Sequence, residues 1–475
     1  MNFIETTDLD TNPLDKDFDA LCLARLEQHF GLDFSSKVVV VGIGITGVSV
    51  ASYLEKLGLH FAIVDSRSKP PLMADFTARY PEVPIFTGGF DASAFAVATH
   101  LIVSPGVTLN EPAIRQALAR GVVCLSDIDI FACAVADKNV VAITGSNGKS
   151  TVTTMVGDMF KAAGRKVGVG GNLGTPALDL LKPELENYVL ELSSFQLERT
   201  TKLNAKAATV LNLSADHLDR HNGLADYAHQ KATVFNGDGV LVLNAEDPVV
   251  MAMRQGREQR TYLTFGLKGS QADFTVATMD EVDYLVHQEQ RLMSVSELPL
   301  EGGHNVANAL AALALGYAVG LDYASMCKAL KKFQGLAHRM QKVGVVKQVT
   351  WINDSKATNI GACVAALQGY IKPLILIAGG DAKGADMQEL VPAIRAKVKS
   401  VILMGKDGPL IDAALAGCVP TTVVKNMQQA VKAASELAVA GDTVLLSPAC
   451  ASLDQFKDYK DRGNQFAKAV LELPA

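Results

Sequence analysis

The sequence is short of the features that mark several whole classes of protein. Its 475 residues hold seven scattered cysteines (Cys22, Cys124, Cys133, Cys327, Cys363, Cys418 and Cys450) with no C-x-x-C pair among them. That spacing argues against structural zinc and a disulfide framework, and fits a reducing compartment. There is no block of lysine and arginine and the formal net charge is −6, which speaks against nucleic acid as a partner. The longest apolar run, 309–319, contains glycine and tyrosine and is too short to span a bilayer. The first 35 residues carry eight carboxylates against two basic side chains, the wrong balance for a signal peptide. A cytoplasmic protein without membrane insertion is expected.

What remains is an ordinary globular composition, 49% hydrophobic and 20% charged. A chain of 475 residues is too long for one core, so several domains are expected. Residues 1–17 are polar, acidic and aperiodic and read as a mobile arm, and 18–30 as a short helix. Strand-like runs at 37–41, 61–65, 101–104 and 122–125 then alternate with helical patterns near 48–57 and 111–120, the signature of an open α/β unit. A second series begins at Asn139 and continues through 188–192, 207–211 and 240–243, with antiparallel texture at 273–299 and a buried helix at 305–319. A third has strands at 349–352, 374–378, 400–404, 421–424 and 443–446. The expected division is an acidic N-terminal extension, 1–35, then α/β domains at 36–128, 129–338 and 339–475.

The stretch ITGSNGKST, residues 143–151, carries the strongest chemical signal. It resembles a phosphate loop, yet Ile143 stands where the usual pattern has its first glycine. The flanks favour the loop. A β-branched run, 139–144, precedes it, and Val152, Met155, Val156, Met159 and Phe160 follow at helical spacing. Strand, glycine turn and helix N-terminus form an anion cradle, with Gly145, Ser146, Asn147, Gly148, Lys149, Ser150 and Thr151 around an ATP polyphosphate. Lys149 can reach the outer phosphates, and Ser150 or Thr151 can offer a hydroxyl to Mg²⁺. The plainer alternative is an ordinary strand-to-helix turn.

A second glycine motif, Gly42-Ile43-Gly44-Ile45-Thr46-Gly47, follows the first strand, and Asp65 ends the next, where a ribose hydroxyl would be met. A nicotinamide dinucleotide, another diphosphate nucleotide and tight packing without ligand all fit this pattern. No hydride chemistry announces itself elsewhere, and the second option is preferred. Ser104-Pro105-Gly106 would close the same crevice.

Polar segments also follow the central strands. Glu191 sits late in an apolar strand, where a carboxylate is costly unless it meets a cation. Asn212 to His221 follows the next strand, and Lys231 lies in the helix beyond it. Glu191 and His217 make a reasonable site for a hard cation completed by phosphate oxygens, although a paired carboxylate and a loop histidine are the plain alternatives. In the third domain, segments starting at Asn353, Gly379 and Ser447 all follow strands, so their lysines and hydroxyls should converge on one rim suited to a small anion.

Taken together, TGSNGKST, LELSSFQLE, the histidine after a strand, HNVANALAA, LAHRM, INDSKATN and SPACASLDQFKDY resemble the Mur ligases of peptidoglycan synthesis. The resemblance covers about 37–471, and the shortened loop is that superfamily's own form. It implies a bacterial cell-wall enzyme that uses ATP and Mg²⁺, two ions in all, to join D-glutamate to UDP-N-acetylmuramoyl-L-alanine through an acyl phosphate. It implies a Rossmann-like first domain for the uridine diphosphate, a P-loop-type second domain and a Rossmann-like third. Ile45, Thr46, Asp65, Ser66, Arg67 and Gly106 would hold the UDP moiety, and Asn172, Ser193, Gln196 and His217 the muramoyl-alanine. Asn305 and Asn308 would lie near adenine, with Arg339, Asp354 and Lys356 near ribose and phosphates. Thr358, Lys383, Ser452, Leu453 and Tyr459 would hold D-glutamate, Tyr459 standing where relatives have Phe. Catalysis would rest on Lys149, Glu191, His217, Lys231 and Lys356, and metal binding on Ser150, Glu191, His217 and Lys231, the last as a carbamate formed with CO₂. A bare lysine would repel Mg²⁺, and carbamylation removes that conflict. A monomer is expected. A relative adding diaminopimelate or lysine should show a D-N-P-R segment, which is absent, and intact Lys149, Glu191, His217 and Lys356 argue against a regulator that has lost catalysis.

Overall fold

The computed structural model describes residues 13–90, 95–214, 220–267, 269–300, 302–370 and 372–474. Its secondary structure is built on three sheets. The first has the order β3-β2-β1-β4-β5, with β1 (Val38–Val41), β2 (Phe61–Asp65), β3 (Ile85–Thr87), β4 (His100–Val103) and β5 (Val123–Leu125) all parallel. All four valines of β1 are buried, as a central strand covered on both faces requires. The strand order reverses between β1 and β4, so a crevice opens beyond their carboxyl ends. Both the glycine motif at 42–47 and the Ser104–Gly106 turn lie there.

The second sheet has nine strands in the order β14-β13-β12-β11-β10-β9-β6-β8-β7. Strands β6 (Asn139–Thr144), β7 (Val167–Gly171), β8 (Asn187–Glu191), β9 (Ala207–Val210), β10 (Val240–Asn244) and β11 (Tyr262–Phe265) are parallel. Strands β12 (Phe274–Met279), β13 (Val282–His287) and β14 (Gln290–Ser294) extend it as an antiparallel meander. The first meander turn puts Asp280 and Glu281 at φ of 50° and 62°, a left-handed pair made here without glycine.

The third sheet has the order β15-β16-β20-β17-β18-β19, with β15 (Gln341–Val346) antiparallel to β16 (Val349–Asn353). Strands β16, β17 (Leu374–Gly379), β18 (Val398–Met404), β19 (Thr421–Val423) and β20 (Thr443–Leu446) run parallel. Two buried apolar clusters, one around Leu376 and Leu445 and one around Trp351 and Phe466, cover its two faces.

Contacts group the chain into two units, one of 1–213, 217–295 and 307–331, the other of 214–216, 296–306 and 332–475. The first and second sheets therefore belong to one unit and the third sheet to the other.

The N-terminal reading needs correction. A helix, Pro13–Phe30, starts inside the segment read as a mobile arm. Its Cys22 and Leu26, one turn apart, are fully buried in the core of the first unit. Arg25 donates to the carbonyl of Cys133 at 3.0 Å and pairs with Asp137 at 2.6 Å. The apolar stripe is narrow and set among acidic side chains, which hid the helix from a composition argument.

Candidate active site

Strand β6 ends at Thr144, and the helix Lys149–Ala162 begins five residues later. The intervening loop depends on its glycines. Gly148 has φ of 84°, and a Cβ there would come within 2.4 Å of the Asn308 Oδ1. Gly145 has φ of 146°, and a Cβ would press on the Leu211 backbone at 3.1 Å. Asn212 fixes the loop from the end of β9. Its carbonyl accepts from the Ser146 N–H at 3.0 Å, its Oδ1 from the Asn147 N–H at 2.8 Å, and its Nδ2 donates to the Asn147 carbonyl at 3.1 Å. The Lys149 ammonium folds over the loop and donates to the carbonyls of Gly145 and Ser146, each at 2.9 Å. Ser150 and Thr151 are buried in the first helical turn. The result is a positively charged cradle of backbone N–H groups at a helix N-terminus, suited to a polyphosphate.

Beside β6 runs β8, which pairs Glu191 with Ile143 and so delivers this carboxylate to the loop's edge. Glu191 is 3% exposed. Its Oε1 accepts from the Asn172 Nδ2 at 2.8 Å, while its buried Oε2 meets no hydrogen-bond donor among the described residues. An uncompensated buried carboxylate oxygen is costly, and a hard cation would satisfy it. Among the described residues no group of three or more His, Cys, Asp and Glu could hold a metal by itself, so phosphate oxygens and the Ser150 hydroxyl would have to complete the shell. The residues present fit Mg²⁺ on those terms.

Lys231 is buried, only 1% exposed, rather than a solvated surface charge. The helix Leu224–Ala232 directs its ammonium to the Thr144 hydroxyl at 3.2 Å and the Gly145 carbonyl at 2.9 Å. The same nitrogen lies 4.6 Å from the centre of the Tyr227 ring.

In the crevice of the first sheet, a Cβ on Gly47 would lie 1.9 Å from the Gly42 carbonyl oxygen, which explains that glycine. Asp65 is buried and fully engaged. It accepts from the Ile43 N–H at 2.7 Å and from the Arg67 N–H, Nε and Nη2 at 2.9, 2.9 and 2.7 Å. Burial pushes its pKa up, but the Arg67 and Ile43 hydrogen bonds outweigh this and hold it below the usual carboxylate range. Asp65 thus shapes the loop, and Arg67 and Ser66 are exposed at its mouth. Ile45, at 68% exposure, stands bare at the start of its helix with Thr46 beside it. Arg199 is the residue the sequence did not flag. Buried, it donates to the carbonyls of Val103, Ser104 and Val107 and so sets the turn that carries Gly106.

Ser193 and Gln196 form a reciprocal cap on the short helix Ser194–Leu197, which fixes both side chains just past β8. Asn305 and Asn308 lie one turn apart in the helix Gly303–Ala318. His217 falls outside the described residues.

In the second unit, β16, β20 and β17 are adjacent and parallel, so the segments after Asn353, Leu446 and Gly379 do meet on one rim. Asp381 and Ala451 form a bridge between two of them. Asp354 is buried, accepts from the Ser447 hydroxyl at 3.0 Å and the Met340 N–H at 3.2 Å, and is pushed up to about 7 by burial. Lys356 lies 4.0 Å from the Tyr459 ring centre, a cation–π contact. Arg462 is the second residue missed. It donates to the Ser355 hydroxyl and carbonyl and to the Cys450 carbonyl, and burial lowers its pKa to about 10. Thr358 follows Ser355 by three residues and the buried Ser452 follows Cys450 by two, and Leu453 is exposed. Lys383 is exposed in a left-handed turn at φ of 50°, and Arg339 follows His338 on the loop before β15.

Three α/β sheets with a shortened phosphate loop on the second define a nucleotide-binding protein of the P-loop type. The Mur ligase MurD-like N-terminal domain matches residues 36–126, the Mur ligase middle domain 143–316, and the Mur ligase glutamate ligase domain 338–450. The chain belongs to the Mur ligase family, in the group named UDP-N-acetylmuramoylalanine–D-glutamate ligase. A ligase of that name from Methylococcus capsulatus is 52% identical over 446 residues, covering 94% of this chain and 96% of the relative. Another from Pseudomonas aeruginosa is 49% identical over 442 residues, covering 92% and 98%. Solved structures share the fold at lower identity. A pseudomurein peptide ligase type C from Methanothermus fervidus has a TM-score of 0.60 at 19% identity, covering 92% of this chain and 99% of its own. The UDP-N-acetylmuramate–alanine ligase from Thermotoga maritima has 0.59 at 21%, covering 91% and 98%.

Proposed function

We propose that this chain joins D-glutamate to UDP-N-acetylmuramoyl-L-alanine and hydrolyses ATP to ADP and phosphate. The observation that carries the ATP chemistry is the buried Oε2 of Glu191, which lacks a donor among the described residues, beside a glycine loop holding Lys149. The 52% identity to a ligase of this name across 94% of the chain supports the choice of substrates. The proposed domains are an extension at 1–35, a UDP-substrate domain at 36–128, an ATP domain at 129–338 and an amino-acid domain at 339–475.

In this reading the muramoyl-alanine carboxylate attacks the γ-phosphate, the bond to the bridging oxygen breaks and ADP leaves, giving an acyl phosphate. The amino group of D-glutamate then attacks that carbonyl, a tetrahedral intermediate forms, and phosphate leaves. Lys149 neutralises charge on the transferring phosphoryl group. Ser150, Glu191 and His217 would hold Mg²⁺, which would supply further charge neutralisation for the polyphosphate. Lys231 is proposed to carry CO₂ as a carbamate, which would turn this buried cation beside the phosphate loop into a group that attracts Mg²⁺. Ile45, Thr46, Asp65, Ser66, Arg67 and Gly106 are assigned to the UDP moiety, and Asn172, Ser193, Gln196 and His217 to the muramoyl-alanine. Asn305, Asn308, Arg339, Asp354 and Lys356 are assigned to ATP, and Thr358, Lys383, Ser452, Leu453 and Tyr459 to D-glutamate. No described helix is long and apolar enough to cross a membrane. We place the enzyme in the cytoplasm, where ATP and UDP-sugars are available, and propose that it acts as a monomer.

The test is product analysis. With ATP, Mg²⁺ and both substrates, mass spectrometry should show the UDP-sugar gaining one glutamyl residue. An unchanged UDP-sugar would reject the assignment.

A further inference from the structure

A row of cations and rings runs through the first unit between its two proposed nucleotide sites. The Arg220 guanidinium lies 4.6 Å from the Phe195 ring centre, and Phe195 faces His221 at 5.6 Å with 13° between planes. His221 in turn lies 5.2 Å from the Tyr227 ring with 50° between planes, and the Lys231 ammonium ends the row 4.6 Å from the Tyr227 ring centre. At its start, Arg220 donates to the Gly106 carbonyl at 3.4 Å. At its end, the Ser146 hydroxyl meets the Tyr227 Oη at 3.4 Å and Lys231 donates to the Gly145 carbonyl at 2.9 Å.

His221 is the middle rung. Its Nε2 lies 3.0 Å from the Ser194 hydroxyl, and its Nδ1 3.7 Å from Asp226. Asp226 is itself held by the Asn222 N–H at 2.9 Å and the Gln230 amide at 3.1 Å. Burial lowers the imidazole pKa, which keeps the ring neutral and able to pack between two aromatic neighbours. Ser194 opens the helix whose cap is Ser193 and Gln196, whereas Tyr227 and Lys231 belong to the helix Leu224–Ala232. One side chain therefore touches both elements.

We propose that His221 is a positioning residue which holds Lys231 and the Ser193–Gln196 cap in register with the phosphate loop. The proposal rests on the reading above that Lys231 organises the metal and that the cap meets the muramoyl-alanine. A ring at this place restricts the Tyr227 ring on one face, and Tyr227 in turn restricts where the Lys231 head group can sit. Loss of the ring should then misplace a group needed in the transition state while leaving ATP affinity alone.

The experiment compares His221→Leu and His221→Phe in the full-length enzyme, by phosphate release with ATP, D-glutamate and UDP-N-acetylmuramoyl-L-alanine. His221→Leu keeps an apolar filling but no ring. Its kcat should fall about tenfold or more, as for loss of a group that orients a metal ligand. Its KM for ATP should stay within about twofold. His221→Phe restores the ring and should recover kcat to within about threefold. A His221→Leu enzyme with unchanged kcat overturns the proposal. So does a parallel loss in both variants that tracks a lowered melting temperature, since that is a merely structural role. A wild-type enzyme with no D-glutamate-dependent release would instead sink the functional assignment, and this inference with it.

Discussion

Asn172 donates its side-chain amide to one oxygen of Glu191 at 2.8 Å, and the other oxygen, which is buried, meets no donor among the described residues. The amide fixes the carboxylate and leaves one lone-pair face directed at whatever completes the site. Replacing Glu191 with Gln keeps the shape and removes the charge. The expected result is a fall in kcat of about 10²-fold or more with a raised Mg²⁺ requirement, measured by phosphate release across a Mg²⁺ titration. An unchanged Mg²⁺ dependence would remove Glu191 from the metal site.

Asp65 makes a different prediction, because its oxygens are engaged by Arg67 and the Ile43 N–H. Asp65→Ala should let both the loop and Arg67 move, far from the reacting carboxylate. KM for the UDP-sugar should rise about tenfold while kcat changes little, the pattern of lost uniform binding. Steady-state kinetics with varied UDP-sugar decides this, and an unaltered KM would contradict it.

For Lys231, removal of the side chain should collapse kcat by about 10²-fold to 10³-fold while UDP-sugar binding survives. If a carbamate is the working form, high acetate should restore part of the rate in Lys231→Ala. Rescue by methylamine but not by acetate would show that an ammonium was needed instead.

Asp354 ties stability to pH. Burial raises its carboxyl to about 7 in the folded chain, against about 4 when unfolded. The folded state thus binds the proton more tightly, so this group's contribution is fully present below about pH 4 and is lost as pH rises through about 7. Asp354→Asn should flatten that fall in unfolding free energy over the same range, read from urea melts at several pH values. An identical pH slope in both proteins would count against the buried, proton-binding carboxyl.

Much of this was legible because the signals were local. The Val38–Val41 run, the glycine turns and the strands 374–378 and 443–446 announced themselves by β-branched composition and by their punctuation. Convergence of the segments after Asn353, Gly379 and Leu446 followed from the rule that sites lie at carboxyl ends of parallel strands. Strand β7 escaped because it is Val167-Gly168-Val169-Gly170-Gly171, a poor strand former. Its glycines answer to neighbours distant in sequence, since a Cβ on Gly170 would come within 2.3 Å of the Thr175 carbonyl. Lys231 is marked only through the family resemblance, because nothing in its own helix shows that Thr144 and Gly145 will meet it. Arg199 and Arg462 escaped for the same reason. Each is buried by carbonyl acceptors that only the tertiary fold assembles.

The central claim is that the amino acid joined here is D-glutamate, and the most direct measurement is phosphate release from ATP with UDP-N-acetylmuramoyl-L-alanine and one amino acid at a time. D-glutamate should drive release, while L-glutamate, diaminopimelate and L-lysine should leave it at background. Equal release with both glutamate enantiomers, or release driven by diaminopimelate or lysine, would contradict the account.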